Sequence, residues 1–274
     1  MCTGWCTLPS FAEPVRLRAV SVLIGICAWA ILAPLTGCVG GKEIVRQPEV
    51  APYQGTVTVE ALKQSVGFGD VRTLKALAEV KVFRKGEPAG SFNGVFGYKA
   101  PDSLKAVFFG PFGLTVMEML ASRELLQVYL PPKNSLYEMK SPEIAFSSLL
   151  NNDRFLLAMQ EEDDHYALYA YDRDGAGEGP VMKYLFDRTY LLNREVILYR
   201  AAGETVTISF GNFNGRVPEK IGLAFGSGTE MEITLQEPEF DAEIPGEYFA
   251  AIEHGDRKVL PLRELLRRIA RAGS

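Results

Sequence analysis

The sequence predicts a mainly β protein: an unclosed antiparallel β-barrel with a short helical lid and a C-terminal amphipathic helix. Three observations carry this. The apolar period becomes two from Ala78 onward, turn residues then recur about every ten positions, and one helical interruption falls midway. A meander of this length has to curl around its apolar face, and helices inserted into it can lie across the opening.

The first 37 residues read as an address. Arg16 and Arg18 precede an almost uncharged run from Ala19 to Leu35, and Leu35-Thr36-Gly37-Cys38 closes it with small residues. A positive start, an apolar centre and a small-residue cleavage point make a secretory signal peptide. The run is also near the lower limit of about 17 residues for a bilayer span, but Pro34 and the small residues before Cys38 fit processing better. All four cysteines, Cys2, Cys6, Cys27 and Cys38, lie within the first 38 residues, so the rest of the chain has no thiol for disulfides, metal ligation or catalysis. Residues 38–55 hold Gly, Pro and charge without an apolar period and predict a flexible tether.

The domain that follows spans 56–255. Val59, Leu62 and Val66 stand at helical spacing after Thr56 or Thr58 as N-cap, and Gly67-Phe68-Gly69 ends that helix. Val71, Leu74 and Leu77, three apart, suggest a second helical turn. Strands are then expected over 78–84, 89–99, 104–109, 114–121, 124–130 and 135–139, separated by Gly, Pro, Asn and Asp turns. Ser141-Pro142-Glu143 is a helix start, with an N-cap, Pro at the first position and an acid in the first turn. Two short apolar helices follow, carrying Ile144, Phe146, Leu149 and Leu150, then Phe155, Leu156 and Met159. Six more strands are expected over 165–171, 181–187, 195–200, 205–210, 220–224 and 230–235. Residues 256–274 alternate Arg257, Lys258, Arg263, Arg267, Arg268 and Arg271 with Leu262, Leu265, Leu266 and Ile269, a basic amphipathic helix.

Strand parity places large rings on one face: Phe92, Phe96 and Tyr98 in one strand, Leu104 and Phe108 in the next. Val80, Val82, Phe92, Phe96, Leu104, Phe108, Leu126 and Val128 are the candidate lining of an acyl-chain cavity, with room left by Gly94, Gly97 and Ala106. Ile144, Phe146, Leu149, Leu150 and Phe155 are the candidate lid. The same residues also suit plain core packing, and both readings stay open at this point.

Composition excludes other classes. With 47% hydrophobic and 23% charged residues the chain is globular, and a net charge of −5 provides no global field for nucleic acid. Removal of residues 1–37 takes away Arg16, Arg18 and Glu13 and moves the charge to −6. Only His165 and His254 are available as histidines, and no catalytic or phosphate-binding motif stands in its required context. Glu161, Glu162, Asp163 and Asp164 before His165 read as a solvated loop, because adjacent side chains do not converge on one ion. No metal, cofactor or enzymatic activity is expected.

The Leu35-Thr36-Gly37-Cys38 string resembles the bacterial lipobox, which implies that Cys38 is lipidated and becomes the mature N-terminus. Val39, rather than Asp, follows it, which points to the outer membrane. With the run LKALAEVKVFRKGEPAGSFNGVFGYKAPDSLKAVFFGPFGLTVMEMLAS, the later LPPKNSLY and the closing GTEMEITLQEPEF, the chain resembles the LolA/LolB superfamily and most of all LolB-like outer-membrane lipoproteins. The resemblance implies about eleven strands, a helical lid and a cavity for lipoprotein acyl chains. It also implies a periplasmic carrier of the LolA type as partner, a monomer facing the periplasm, and a role in receiving or inserting lipoproteins. The turn Gly110-Pro111-Phe112-Gly113 stands where such proteins project an apolar residue, which makes Phe112 the expected membrane-inserting tip. The Arg-rich C-terminal helix departs from that pattern. A structural lipoprotein of an envelope or polysaccharide-export assembly, with the same fold and no cargo, is the other functional reading.

Overall fold

The computed structural model describes residues 46–122, 124–140, 150, 153–174, 179–199 and 205–273, with backbone alone at 266 and 269–273. Residues 1–37, Cys38, Ile144, Phe146 and Leu149 lie outside the described residues. Among the described residues no helix is long and apolar enough to cross a membrane.

Among the described residues the body is one sheet of fourteen strands. In chain order these are β1 (Thr73–Arg84), β2 (Glu87–Lys99), β3 (Ser103–Phe109), β4 (Thr115–Ala121), β5 (Leu125–Leu130), β6 (Ser135–Lys140) and β7 (Phe155–Glu161). They continue as β8 (His165–Asp172), β9 (Met182–Asp187), β10 (Asn193–Tyr199), β11 (Thr205–Asn214), β12 (Val217–Phe225), β13 (Thr229–Phe240) and β14 (Lys258–Pro261). Helix α1 (Val59–Gln64) precedes the sheet and α2 (Leu262–Gly273) follows it. The spatial order is β14-β6-β5-β4-β3-β2-β1-β13-β12-β11-β10-β9-β8-β7, so β7 and β14 are edges that do not pair with each other. The barrel is therefore unclosed. A long seam joins the beginning of the meander to its last antiparallel strand, β1 against β13, from Leu74 opposite Phe240 to Arg84 opposite Thr229.

Local chemistry explains the strands. In β1 the sequence TLKALAEVKVFR buries Leu74, Ala76, Ala78 and Val80 on one face and turns Lys75, Leu77 and Lys81 outward. Lys85 and Gly86 join β1 to β2 with φ of 51° and 81°, the mirror-image turn whose twist suits a hairpin. Thr58 caps α1, its Oγ1 accepting from the Ala61 N–H at 3.2 Å.

Two helical expectations fail. Of the turn expected over Val71, Leu74 and Leu77, both leucines lie in β1, which begins at Thr73. Leu74 is buried on the inner face, whereas Leu77 stands on the outer face, 45% exposed. Spacings of three arose because a buried and an exposed leucine fell on opposite faces of one strand. The second apolar helix, with Phe155 as lid, is strand β7, paired from Phe155 opposite Asp172 to Glu161 opposite Tyr166. As an edge strand it leaves Leu156 and Met159 half exposed, so its apolar residues show no clean alternation. Leu150, the other described lid candidate, is buried with Leu62 of α1 rather than over an opening. Among the described residues there are fourteen strands, where the period gives twelve and the resemblance about eleven; β7 and β14 are the two the period misses.

The expected space beside small residues is filled. Gly97 faces the outer side, where a Cβ would lie 2.6 Å from the Tyr248 ring. Gly94 faces inward, but a Cβ there would lie 2.4 Å from the Val107 carbonyl oxygen and 2.8 Å from the Phe108 ring. Ala106 is 1% exposed. Gly94→Ala should therefore destabilise the fold by about 1–3 kcal/mol through overpacking, read as a lower urea midpoint at unchanged slope.

Candidate functional site

Register alone assembles the concave face. Val80 pairs with Phe92 and Ile233, Ala106 with Phe96 and Met119, and Val128 with Met119 and Tyr137, so alternate residues of successive strands share one surface. All eight candidate lining residues stand on it. Val80, Phe96, Phe108 and Val128 are buried, and Val82, Phe92, Leu104 and Leu126 are half-buried.

Two helices cover most of this face from opposite sides. Helix α1 places Leu62, 0% exposed, against Leu168, Ala170, Tyr184, Phe186 and Val196 of β8–β10. Burial pushes the Tyr184 phenol well above its ordinary range, so it stays neutral inside this cluster. Helix α2 turns back from β14 onto β4–β6, where Leu262 is buried and Leu265 packs beside Val128, Tyr137, Leu126, Met117, Met119 and Met139. Arg268 anchors it: Nη1 donates to the Tyr137 hydroxyl at 3.1 Å, and the guanidinium lies 5.9 Å from that ring's centre. The sequence supplies the amphipathicity of α2 but not its place inside the half-barrel. Between the helices, Val82, Phe92, Met231, Ile233, Ile221 and Leu223 remain half-buried.

One end of the half-barrel is formed by the β1–β2, β3–β4, β5–β6 and β12–β13 turns. There the chain makes a tight loop between β3 and β4, Gly110 N–H donating to the Leu114 carbonyl at 2.8 Å. Phe112 occupies φ 61°, ψ 19°, the left-handed region that disfavours a bulky side chain. Its ring is 100% exposed, and Leu114 beside it is 69% exposed. The sequence reading takes Leu114 as the first residue of the next strand and misses it as part of the tip; two apolar residues flanking Gly113 in the five-residue loop from Gly110 to Leu114 are the signal that was there. A concavity of ≈ 320 Å³ lies elsewhere, lined mainly by the outer face of β11–β13, including Thr207, Ser209, Gly211, Gly222, Glu230 and Glu232. Its lining mixes apolar Phe83 and Ala224 with charged Lys220, Glu230 and Glu232, charges that acyl chains could not satisfy.

The acidic stretch before His165 is not a free loop. Glu161 pairs with Arg188, and Glu162 receives Tyr169 Oη at 2.9 Å and Lys183 Nζ at 3.1 Å, with His165 Nε2 2.6 Å away. These contacts staple β7 to β8 and β9. Asp172 is similarly held by Arg154 at 2.7 Å. Among the described residues no group of three His, Cys, Asp or Glu side chains is placed to hold a metal ion. Burial alone would raise the Glu162 carboxyl, but hydrogen bonds from Lys183 and Tyr169 outweigh it and hold the group below its ordinary value of 4.5.

No protein-family model matches the sequence. No curated protein matches it either. Solved structures do. A DUF1329 family protein from Desulfovibrio piger superposes with a TM-score of 0.53 at 12% identity, over 70% of this chain and 94% of its own. A LolA superfamily protein from Nitrosomonas europaea superposes with a TM-score of 0.50 at 12% identity, over 72% of this chain and 99% of its own. The architecture defines a class, the unclosed antiparallel half-barrel with an apolar concave face. Within that class the chain shares its fold with the LolA superfamily protein.

Two outcomes follow. Phe112→Gly should leave stability unchanged or raise it by about 1 kcal/mol, because it relieves a left-handed phenylalanine that packs against nothing; thermal melting of the two proteins checks this. Because the Glu162 carboxyl is lowered in the fold, its contribution is complete above pH 4.5 and lost as pH falls through the folded value. Glu162→Gln should therefore lower stability at neutral pH and flatten the acid limb of a stability profile.

Proposed function

We propose that the protein is a lipid-anchored lipoprotein of the bacterial envelope that holds acyl chains against its concave face and meets a bilayer through the Phe112 turn. The observation that carries this reading is the wholly exposed Phe112, with Leu114, at the rim of an apolar concave face. A solvated ring in a strained backbone position costs stability twice over, and an apolar partner at that point offsets both costs. Chains lying along Val82, Phe92, Met231 and Ile233 would gain roughly 25 cal/mol per Å² buried, with no chemistry involved. The LolA-like fold supports lipid or lipoprotein binding as the general theme. The finer reading is the LolB-like one: lipidation at Cys38, residence at the outer membrane facing the periplasm, and receipt of lipoproteins from a carrier of the LolA type.

One observation favours the second reading, a structural lipoprotein of an envelope or polysaccharide-export assembly without cargo. Helix α2 already occupies the concave face over Val128 and Tyr137, where a chain would lie. The two readings differ in what the interior accepts.

Mass spectrometry of residues 39–274 purified natively from a bacterial periplasm decides between them. Stoichiometric lipid or triacylated lipopeptide is expected, and Phe112→Glu should abolish lipoprotein insertion while leaving the bound lipid in place. Protein free of lipid, which takes none from a loaded carrier even after truncation before Leu262, would establish the structural role instead.

A further inference from the structure

The turns beside Phe112 carry a net positive charge. From the β12–β13 connection to the start of β14, this part of the rim runs through residues 226–228, 84–87, 110–114, 131–134 and 256–258 in spatial order. It contains Arg84, Lys85, Lys133, Arg257 and Lys258, against Glu87 and Asp256. The chain as a whole is acidic, at −5, so this concentration runs against the global balance. Arg257 is engaged, its guanidinium 4.6 Å from the Tyr129 ring centre and Nη1 donating to the Glu253 carbonyl. Arg84, Lys85, Lys133 and Lys258 are exposed, and none is held by a carboxylate among the described residues. The β3–β4 turn stands between the two cationic groups, Arg84 with Lys85 on one side and Lys133 with Lys258 on the other.

We propose that this rim docks on an anionic phospholipid surface, the four cations lying at headgroup depth while Phe112 and Leu114 enter the apolar layer beneath. The proposal rests on the reading of Phe112 as a bilayer contact and adds the lipid class that the contact selects. A bilayer bearing anionic headgroups presents negative charge beside hydrocarbon, and this rim offers cations on both sides of an exposed ring. An acidic protein surface would satisfy the cations and leave Phe112 and Leu114 without an apolar partner.

The test uses the full chain in phosphatidylcholine nanodiscs, captured by vesicles of phosphatidylcholine alone or mixed with phosphatidylglycerol. Binding to the mixed vesicles should exceed binding to phosphatidylcholine by about fivefold per engaged cation at low salt and should collapse at high salt. The variant R84Q/K85Q/K133Q/K258Q should bind both vesicles as the native chain binds phosphatidylcholine, and Phe112→Ser should weaken binding to both while keeping the anionic preference. Equal binding of the native chain to both vesicles would overturn the lipid selectivity yet leave the tip contact standing. Unchanged binding by Phe112→Ser would overturn the tip contact itself. Retention of the preference in the fourfold variant would assign it to the arginines of α2, and capture by poly-glutamate but by neither vesicle would assign the rim to an acidic protein; either result sinks the proposal.

Discussion

A fourteen-stranded sheet with one apolar face must cover that face, and most of the molecule is arranged to do so. Curling brings Leu74, Ala76, Ala78 and Val80 of β1 against Phe96, Phe108 and Leu235 of neighbouring strands. Curvature alone leaves the two wings open, since β7 and β14 do not meet. Helix α1 supplies Leu62 to one wing and α2 supplies Leu262 and Leu265 to the other. What remains half-buried between them, Val82, Phe92, Met231 and Ile233, is the part of the face for which the chain provides no full cover. Any ligand competes for that surface, and beyond it with α2.

The outer side is organised differently, by pinned polar contacts. Gln127 is 1% exposed; its Nε2 donates to the Ile252 carbonyl at 3.1 Å and its Oε1 accepts from the Ile252 N–H at 2.7 Å. This fixes the segment that carries Tyr248, Phe249 and Ile252 over Leu120 and Leu136. The chain then reaches β14 and delivers α2 to the inner side. A polar side chain buried on the outer face thus determines where an apolar helix enters the inner one.

Much of this was legible in the sequence, and the failures share one cause. Period-two segments flanked by Gly, Pro and Asn gave nearly every strand of the meander, because an antiparallel strand with one covered face writes its burial into alternate residues. The Phe112 turn was legible for a related reason: a ring between Pro and Gly has little chance of burial. Edge position defeats the same logic. In β7, Leu156 and Met159 face solvent in part on opposite sides, and the pattern mimics a helix. The position of α2 is a long-range fact, set by Tyr137 with Arg268 and by the parallel pairing of Lys258 with Ser135, and no local period encodes it. The filling of the space near Gly94 depends on the adjacent strand's Val107 and Phe108 in the same way.

The N-terminal segment docks at the end of the half-barrel away from Phe112. The Gln47 N–H donates to Asn214 Oδ1 at 2.7 Å and the Tyr53 N–H to the Thr189 carbonyl at 2.8 Å, both at turns opposite the β3–β4 loop. From Cys38 to Gln47 the chain spans at most about 31 Å when fully extended. Strand β3, which leads to the Phe112 turn, is seven residues long and runs about 23 Å. Under the proposed anchorage at Cys38 the tether is at least as long as that strand, so the same molecule can turn Phe112 down onto its own bilayer or up toward a surface facing it, and anchorage alone does not choose between the two.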